Sequence, residues 1–279
     1  MKHQEHSFIG AKKQRIHYQS WLPAQPKAAV VIAHGLGEHG GRYAQVAQVL
    51  VDAGCAVYAI DHRGHGKSDG VRAFVDKFAN AVADMDHLID HAKRSHPGKP
   101  LFLLGHSMGG ALSLNYAIQH GNKLSGLILS GPAVALDGAP PFLAPISKVL
   151  SSIMPKLGMF AVDPSLVSRD QDEVAKYSSD PLNAHGKVPV RTLAEIVRCV
   201  EWLPSALPSL KLPTLLLHGR DDKLAGVAGS QMVYDRISST DKTLNIYDHL
   251  YHEIFNELPA DRARVFQDMT AWLNERIPA

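Results

Sequence analysis

The chain has 279 residues, 45% of them hydrophobic, with 29 Lys and Arg against 27 Asp and Glu. That length and apolar content suffice for one large buried core without disulfide or metal staples. A near-balanced charge, dispersed without any Lys/Arg run, lacks the electrostatic footprint of a nucleic-acid binder and excludes that class of partner.

The two cysteines, Cys55 and Cys199, lie far apart in unrelated contexts and read as reduced, buried thiols rather than a disulfide framework. Met1 to His6 is polar and lacks the apolar core of a secretory signal. No apolar run approaches the roughly 18 residues needed to cross a bilayer. The expectation is a soluble, cytoplasmic protein, with peripheral membrane association left open.

In chain order, Ser7 to Leu22 reads as a hairpin turning at Gly10-Ala11-Lys12-Lys13. Short runs rich in Val, Ile and Leu follow at Ala28 to Ala33, Ala56 to Ile60, Leu101 to Leu104, Gly126 to Leu129, Thr214 to Leu217 and Thr243 to Tyr247. Each ends in Gly, His, Asp or Ser, as strands buried on both faces and opening into functional loops do. Helical spacing lies between them, at Phe78, Val82, Met85, Ile89 and Ala92, and again at Phe266, Met269, Trp272 and Leu273. Alternating strand and helix predicts an α/β fold, a mostly parallel sheet with helices on both faces.

One stretch breaks the rhythm. From about Ala135 to Leu203 the strand pattern stops, prolines cluster in Ala139-Pro140-Pro141-Phe142-Leu143-Ala144-Pro145, and helix-like segments follow. That is too long for a structureless loop. It predicts a helical insertion at 135–203 over a core built from 1–134 and 204–279.

Gly105-His106-Ser107-Met108-Gly109 stands between a buried strand and a helix, the context of a nucleophile elbow. The turn is tight enough that bulky residues two positions either side of the serine would clash. It lifts the hydroxyl to the C-terminal edge of the sheet, while the Met108 amide opens a helix whose positive end favours an anion. A serine needs a base, and the base needs an orienting acid. In this fold they follow in the order Ser, acid, His. His218-Gly219-Arg220-Asp221-Asp222-Lys223 places adjacent carboxylates just past a strand, and Asp248-His249-Leu250-Tyr251-His252-Glu253 follows the last one. His252 is the candidate base and His249 the fallback. A second oxyanion donor is expected in His34-Gly35-Leu36-Gly37-Glu38-His39-Gly40, at the Leu36 amide. His34 with His39, or His62 with His65, could be read as metal ligands, but no third ligand arrives at a zinc-type spacing.

These pieces resemble the α/β-hydrolase superfamily and, within it, the monoacylglycerol lipase family, over nearly the whole chain. The most specific are His34-Gly-Leu-Gly-Glu-His39 with Arg42-Tyr43, Asp61-His-Arg-Gly-His-Gly-Lys-Ser68, the elbow, and Tyr177-Ser-Ser-Asp-Pro-Leu182. The resemblance implies an α/β-hydrolase fold with a mostly parallel eight-stranded sheet and a helical cap insertion. It implies Ser107, Asp222 and His252 as the catalytic residues, since the family pattern Gly-x-x-Asp falls on Asp222. It implies Leu36 and Met108 as the oxyanion hole, and Glu38, Arg42, His106 and Tyr177 lining a polar end where glycerol sits. Glu38 and Arg42 also read as a structural ion pair, and Tyr177 as packing between insertion and core. The Asp61 to Ser68 loop reads as a buttress.

The expected activity is ester hydrolysis of monoacylglycerols without cofactor or metal, on a lipid ester partner. A lysophospholipase or broad carboxylesterase shares the chemistry. A proline-type aminopeptidase would need cap acids such as Asp170, Asp172 and Glu173 for the substrate ammonium, and a non-catalytic receptor would be favoured by a missing triad member. The stripe Phe142, Leu143, Ile146, Val149, Leu150, Ile153, Met154, Leu157 and Phe160 either packs on the core or faces outward to dock on lipid.

Overall fold

The structure, a computed structural model, describes residues 1–135 and 143–278. β1 (Lys2–Ile9) and β2 (Arg15–Leu22) form the hairpin. β3 (Ala28–Ala33), β4 (Cys55–Ile60), β5 (Leu101–His106), β6 (Gly126–Ser130), β7 (Thr214–Gly219) and β8 (Lys242–Tyr247) are the remaining strands. They make one eight-stranded sheet in the order β1-β2-β4-β3-β5-β6-β7-β8. Pairing is parallel from β4 onward and antiparallel only at β1–β2 and β2–β4. The expected mostly parallel α/β-hydrolase sheet is present.

The hairpin begins earlier than its sequence suggests, at Lys2 instead of Ser7. β1 is an edge strand whose side chains are mostly exposed, so no apolar alternation marks it. Cross-strand stacking of His3 on Trp21 and His6 on Tyr18 holds it in register.

The central strands are buried on both faces because helices cover both. Along β3, Ala29, Val31 and Ala33 face α2 (Phe78–Ser95) and α3 (Met108–His120), while Ala28, Val30 and Ile32 face α1 (Ala44–Asp52) and α8 (Pro259–Asn274). This is the two-residue alternation of a strand used twice over. Phe78, Val82, Met85, Ile89 and Ala92 all point into the first layer, and Phe266, Met269, Trp272 and Leu273 into the second.

Between β6 and β7 run α4 (Leu143–Ile153), α5 (Gln171–Ser179) and α6 (Val190–Ala206); α7 (Val227–Arg236) follows β7. α4 has an inverted pattern. Ser147 and Ser151 are fully buried, whereas Val149 and Ile153 are 62% and 72% exposed. Phe142 lies outside the described residues.

Strand order reverses around β3, whose neighbours are β4 on one side and β5 on the other. The loops leaving β3 and β5 therefore diverge above the sheet, and the crevice between them is where open α/β sheets bind ligands.

Candidate active site

Ser107 occupies the junction of β5 and α3 with φ 52° and ψ −119°, a left-handed conformation that a non-glycine residue holds only when its surroundings fix it. Four bonds do so. Its N–H donates to Ser130 O at 3.1 Å, and its carbonyl accepts from Gly110, Ala111 and Ala133 at 2.9, 3.2 and 3.0 Å. A side chain at Gly105 would collide with Ser113 Oγ and Gly109 O, and one at Gly109 with the carbonyl oxygens of Ala33 and His34. The glycines are a packing requirement.

Asp222 follows β7 and His252 follows β8, and His252 Nδ1 lies 2.6 Å from Asp222 Oδ2. The second carboxylate oxygen accepts the Leu224 and Ala225 amides at 2.8 and 2.9 Å, and buried His218 Nε2 stands 3.2 Å from Oδ2. Burial opposes charge on Asp222, but His252, His218 and these amides outweigh it and hold the carboxyl far below its usual range. Burial likewise works against the imidazolium of His252, and Asp222 overcomes it to raise that pKa. The adjacent pair is excluded by geometry: Asp221 and His249 are exposed, 3.8 Å apart, on the outer surface.

Ser107 and His252 line one cavity of about 210 Å³. Gly35, Leu36 and Met108 form its wall near the serine. Met108 opens α3, so its N–H has no partner within the helix. Its apolar lining is Phe160, Val162, Val167, Leu193, Ile196 and Leu224. Its polar lining includes His106 and the cluster of Glu38, Tyr177 and Glu253.

Arg42 is not in that wall. It stands behind it, with Nη1 2.7 Å from both Glu38 Oε2 and Glu253 Oε1 and Nη2 2.7 Å from Glu253 Oε2. Its guanidinium stacks on Tyr177, 4.8 Å from the ring centre. Glu38 also accepts from the Gly35 amide at 2.6 Å and the Tyr43 hydroxyl at 2.8 Å. The insertion is tied to the same loop: Ala184 N–H donates to Gly37 O at 2.7 Å, and His39 Nε2 lies 2.9 Å from Asp180 Oδ2. Glu253 and His218 escaped the sequence reading. Glu253 follows the candidate base directly, and that adjacency was the one signal it offered.

The sheet and the turn at Ser107 are those of an α/β-hydrolase, and Ser107 shares one cavity with the Asp222-bonded His252. A family model described as serine aminopeptidase, S33 matches residues 24–259. A Mycolicibacterium smegmatis protein named monoacylglycerol lipase is 41% identical over 96% of each chain. The human monoglyceride lipase is 36% identical over 96% of this chain and 89% of its own. A solved soluble variant of the Saccharomyces cerevisiae monoglyceride lipase, in complex with a substrate analog, superimposes with a TM-score of 0.89 at 26% identity, covering 99% of this chain and 96% of that one. The chain belongs to this hydrolase family and, within it, to the monoacylglycerol lipases.

Other histidines near the site serve the scaffold. His34 Nδ1 donates to Gly35 O at 2.7 Å, and its Nε2 accepts the His62 amide at 3.0 Å. Burial keeps His34 well below its ordinary value, His62 at about 3, and His65 and His106 at about 4, reinforced by neighbouring histidines at His34, His62 and His106 and by Arg72 at His65. The unfolded chain takes up these protons near pH 6.5, so stability from keeping the rings neutral is complete above that pH. It is lost as pH falls toward their native values, by up to about 1.4 kcal/mol per pH unit for each ring. His252, raised, contributes in full below pH about 6.5 and loses its contribution only as pH rises through its native pKa. The urea midpoint is therefore expected to fall steeply from pH 6.5 to 5, and a flat midpoint there would contradict neutral burial of the four rings.

Proposed function

We propose that the protein is a carboxylic ester hydrolase that cleaves monoacylglycerols to fatty acid and glycerol. The observation that supports this reading is the shared cavity, whose lining joins Ser107 and the Asp222-bonded His252 to a set of apolar side chains and to the polar cluster of Glu38, Tyr177 and Glu253. The acyl chain lies along the apolar side chains and the glycerol beside Glu38, His106 and Tyr177, with Arg42 holding Glu38 from behind.

Ser107 Oγ passes its proton to His252 Nε2 as it attacks the ester carbonyl. The Leu36 and Met108 amides receive the oxyanion, each worth about 3 kcal/mol in the transition state. Asp222 keeps the imidazole in the Nδ1–H tautomer and stabilises the imidazolium. His252 returns the proton to the departing glycerol oxygen, then deprotonates the water that releases the fatty acid. With base, acid and oxyanion donors all supplied by the chain, no step calls for a cofactor or metal.

Residues 135–203 act as a cap. In a globular helix the apolar face packs inward, yet α4 buries Ser147 and Ser151 and presents Ile146, Val149 and Ile153 outward, continued by Met154, Leu157 and Phe160. That outward apolar face supports peripheral docking on aggregated lipid. Among the described residues no helix is long and apolar enough to cross a membrane.

Ser107→Ala is expected to abolish turnover and labelling by a serine-directed phosphonate while leaving the fold intact. In a panel of mono-, di- and triacylglycerols with a lysophospholipid, the parent should favour the monoacylglycerol, and efficient triacylglycerol turnover would discard the assignment.

Asp222→Asn should lower kcat by about 10⁴-fold through the wrong imidazole tautomer, whereas Asp221→Asn should be mild. The parent's kcat/KM should fall as pH drops through the raised pKa of His252, above its ordinary value. A reversal of severity between the two asparagine variants would move the acid to Asp221.

Changing Val149 and Ile153 together to Ser should weaken sedimentation with phospholipid vesicles and spare hydrolysis of a short soluble ester. Unchanged vesicle binding would remove the docking role.

A further inference from the structure

The cavity is unbalanced in charge. Two buried carboxylates, Glu38 and Glu253, line it, and Arg42 is the one cation bonded to both. Their remaining partners are neutral: the Gly35 amide and Tyr43 hydroxyl on Glu38, and Asn256 Nδ2, at 2.8 Å, on Glu253. Lys176, which lines a surface pocket together with Arg42, is paired with Glu173, as is Arg262. Asp222 adds a further carboxylate behind His252. The Tyr177 phenol senses the imbalance, because after burial the pull of Glu253 and Glu38 raises its pKa against the smaller opposing effect of Arg42.

His106 points the same way independently. Its Nδ1 lies 2.9 Å from the carbonyl oxygen of Ser130, which can only accept, so Nδ1 carries the hydrogen. Burial, with His252 beside it, lowers its pKa to about 4 and keeps the ring neutral. Nε2 is then a lone-pair acceptor. The ring is 4% exposed, lines the cavity, and makes no bond through Nε2 among the described residues. A leaving group here meets acceptors and excess negative charge, with the Tyr177 hydroxyl as a neutral side-chain donor beside them.

We propose that this polar lining selects ester leaving groups by charge: fatty-acid esters of ammonium-bearing alcohols are substrates alongside glycerol esters, and esters of alcohols carrying a carboxylate or phosphate are excluded. The inference rests on the Ser107 mechanism above. In the new reaction the acyl C–O bond breaks as the Ser107 Oγ–acyl bond forms, and His252 delivers the serine proton to the departing oxygen, which leaves as the amino alcohol. Water then releases the acid. The ammonium stays protonated throughout, facing Glu253 and Glu38. In a water-poor cavity the same carboxylates repel an anion that has no unpaired cation to meet it.

The test uses three near-isosteric hexanoate esters, 2-aminoethyl, 2-hydroxyethyl and carboxymethyl, with 1-monohexanoylglycerol as reference. Rates are taken on the pH plateau of the glycerol ester, above the raised pKa of His252 and below that of the amine, and each kcat/KM is compared with that ester's uncatalysed hydrolysis at the same pH to remove intrinsic reactivity. The aminoethyl ester is expected to match or exceed the hydroxyethyl ester, and the carboxymethyl ester to fall at least about tenfold below it. A carboxymethyl ester cleaved as well as the neutral one, or an aminoethyl ester about tenfold worse, overturns the proposal while turnover of the glycerol ester leaves the monoacylglycerol reading standing. Absence of turnover on all four overturns both. Glu253→Gln removes the excess charge and should raise the carboxymethyl-to-hydroxyethyl ratio several-fold, and an unchanged ratio in the folded variant overturns the assignment to Glu253. The parent series decides alone if that variant does not fold.

Discussion

Backbone meets backbone at Gly109, and the rest of the site depends on that contact. The carbonyl oxygens of Ala33 and His34, at the end of β3, occupy the space any side chain at 109 would need. α3 therefore starts hard against the strand whose following loop carries Leu36. Two segments leaving neighbouring parallel strands are brought to one wall, with the Leu36 and Met108 backbones both beside Ser107. The positive φ of Ser107 costs about 1–3 kcal/mol. The bonds its backbone makes to Ser130, Gly110, Ala111 and Ala133 over-determine it, so the strain is held by the same strand end and helix start that create it.

A second layer of charge fixes what that contact positions. Arg42 comes from the turn after β3 and Glu253 from the loop after β8, strands four places apart in the sheet. Joining them with Glu38 holds the loop that carries Leu36 to the loop that carries His252. Buried ion pairs are weak grounds for stability, because desolvation consumes most of the Coulomb gain. What these charges visibly do is hold three chain segments in register, since the insertion bonds to the same turn through Ala184 to Gly37 and Asp180 to His39.

The strands at the centre of the sheet were legible because burial on both faces demands unbroken apolar runs, and β3 runs over the same residues, Ala28–Ala33, in sequence and structure. The edge strand obeys no such demand, so the first residues of β1 were invisible, while Gly105, His106, His218 and Gly219 read as loop because the C-terminal ends of β5 and β7 carry polar and glycine residues of the site although they still pair. The stripe on α4 was legible as a period, but periodicity does not say which way a stripe faces. Its outward direction follows from Ser147 and Ser151 packing inward. Asp221 and Asp222 differ by one position, and only the chain's path after β7 decides which is buried. Beyond its place next to His252, Glu253 had no local signature, because what gives it meaning is an arginine 211 residues away.

Histidines around the site show how one side chain is given different work by its partners. His106 and His252 lie with tilted rings whose centres are 4.6 Å apart, both buried, yet they are driven in opposite directions. His252 meets a carboxylate at Nδ1 and its pKa rises; His106 meets a carbonyl at the same nitrogen, where burial prevails and its pKa falls. A carbonyl fixes a tautomer without adding charge, whereas a carboxylate fixes it and stabilises the cation. In the proposed reaction the proton from Ser107 therefore has one destination, because a second protonated ring at that distance would repel the first. The neutral ring is left as an acceptor facing the leaving group, and the separation of base from binding group comes from Asp222 standing behind one histidine and Ser130 behind the other.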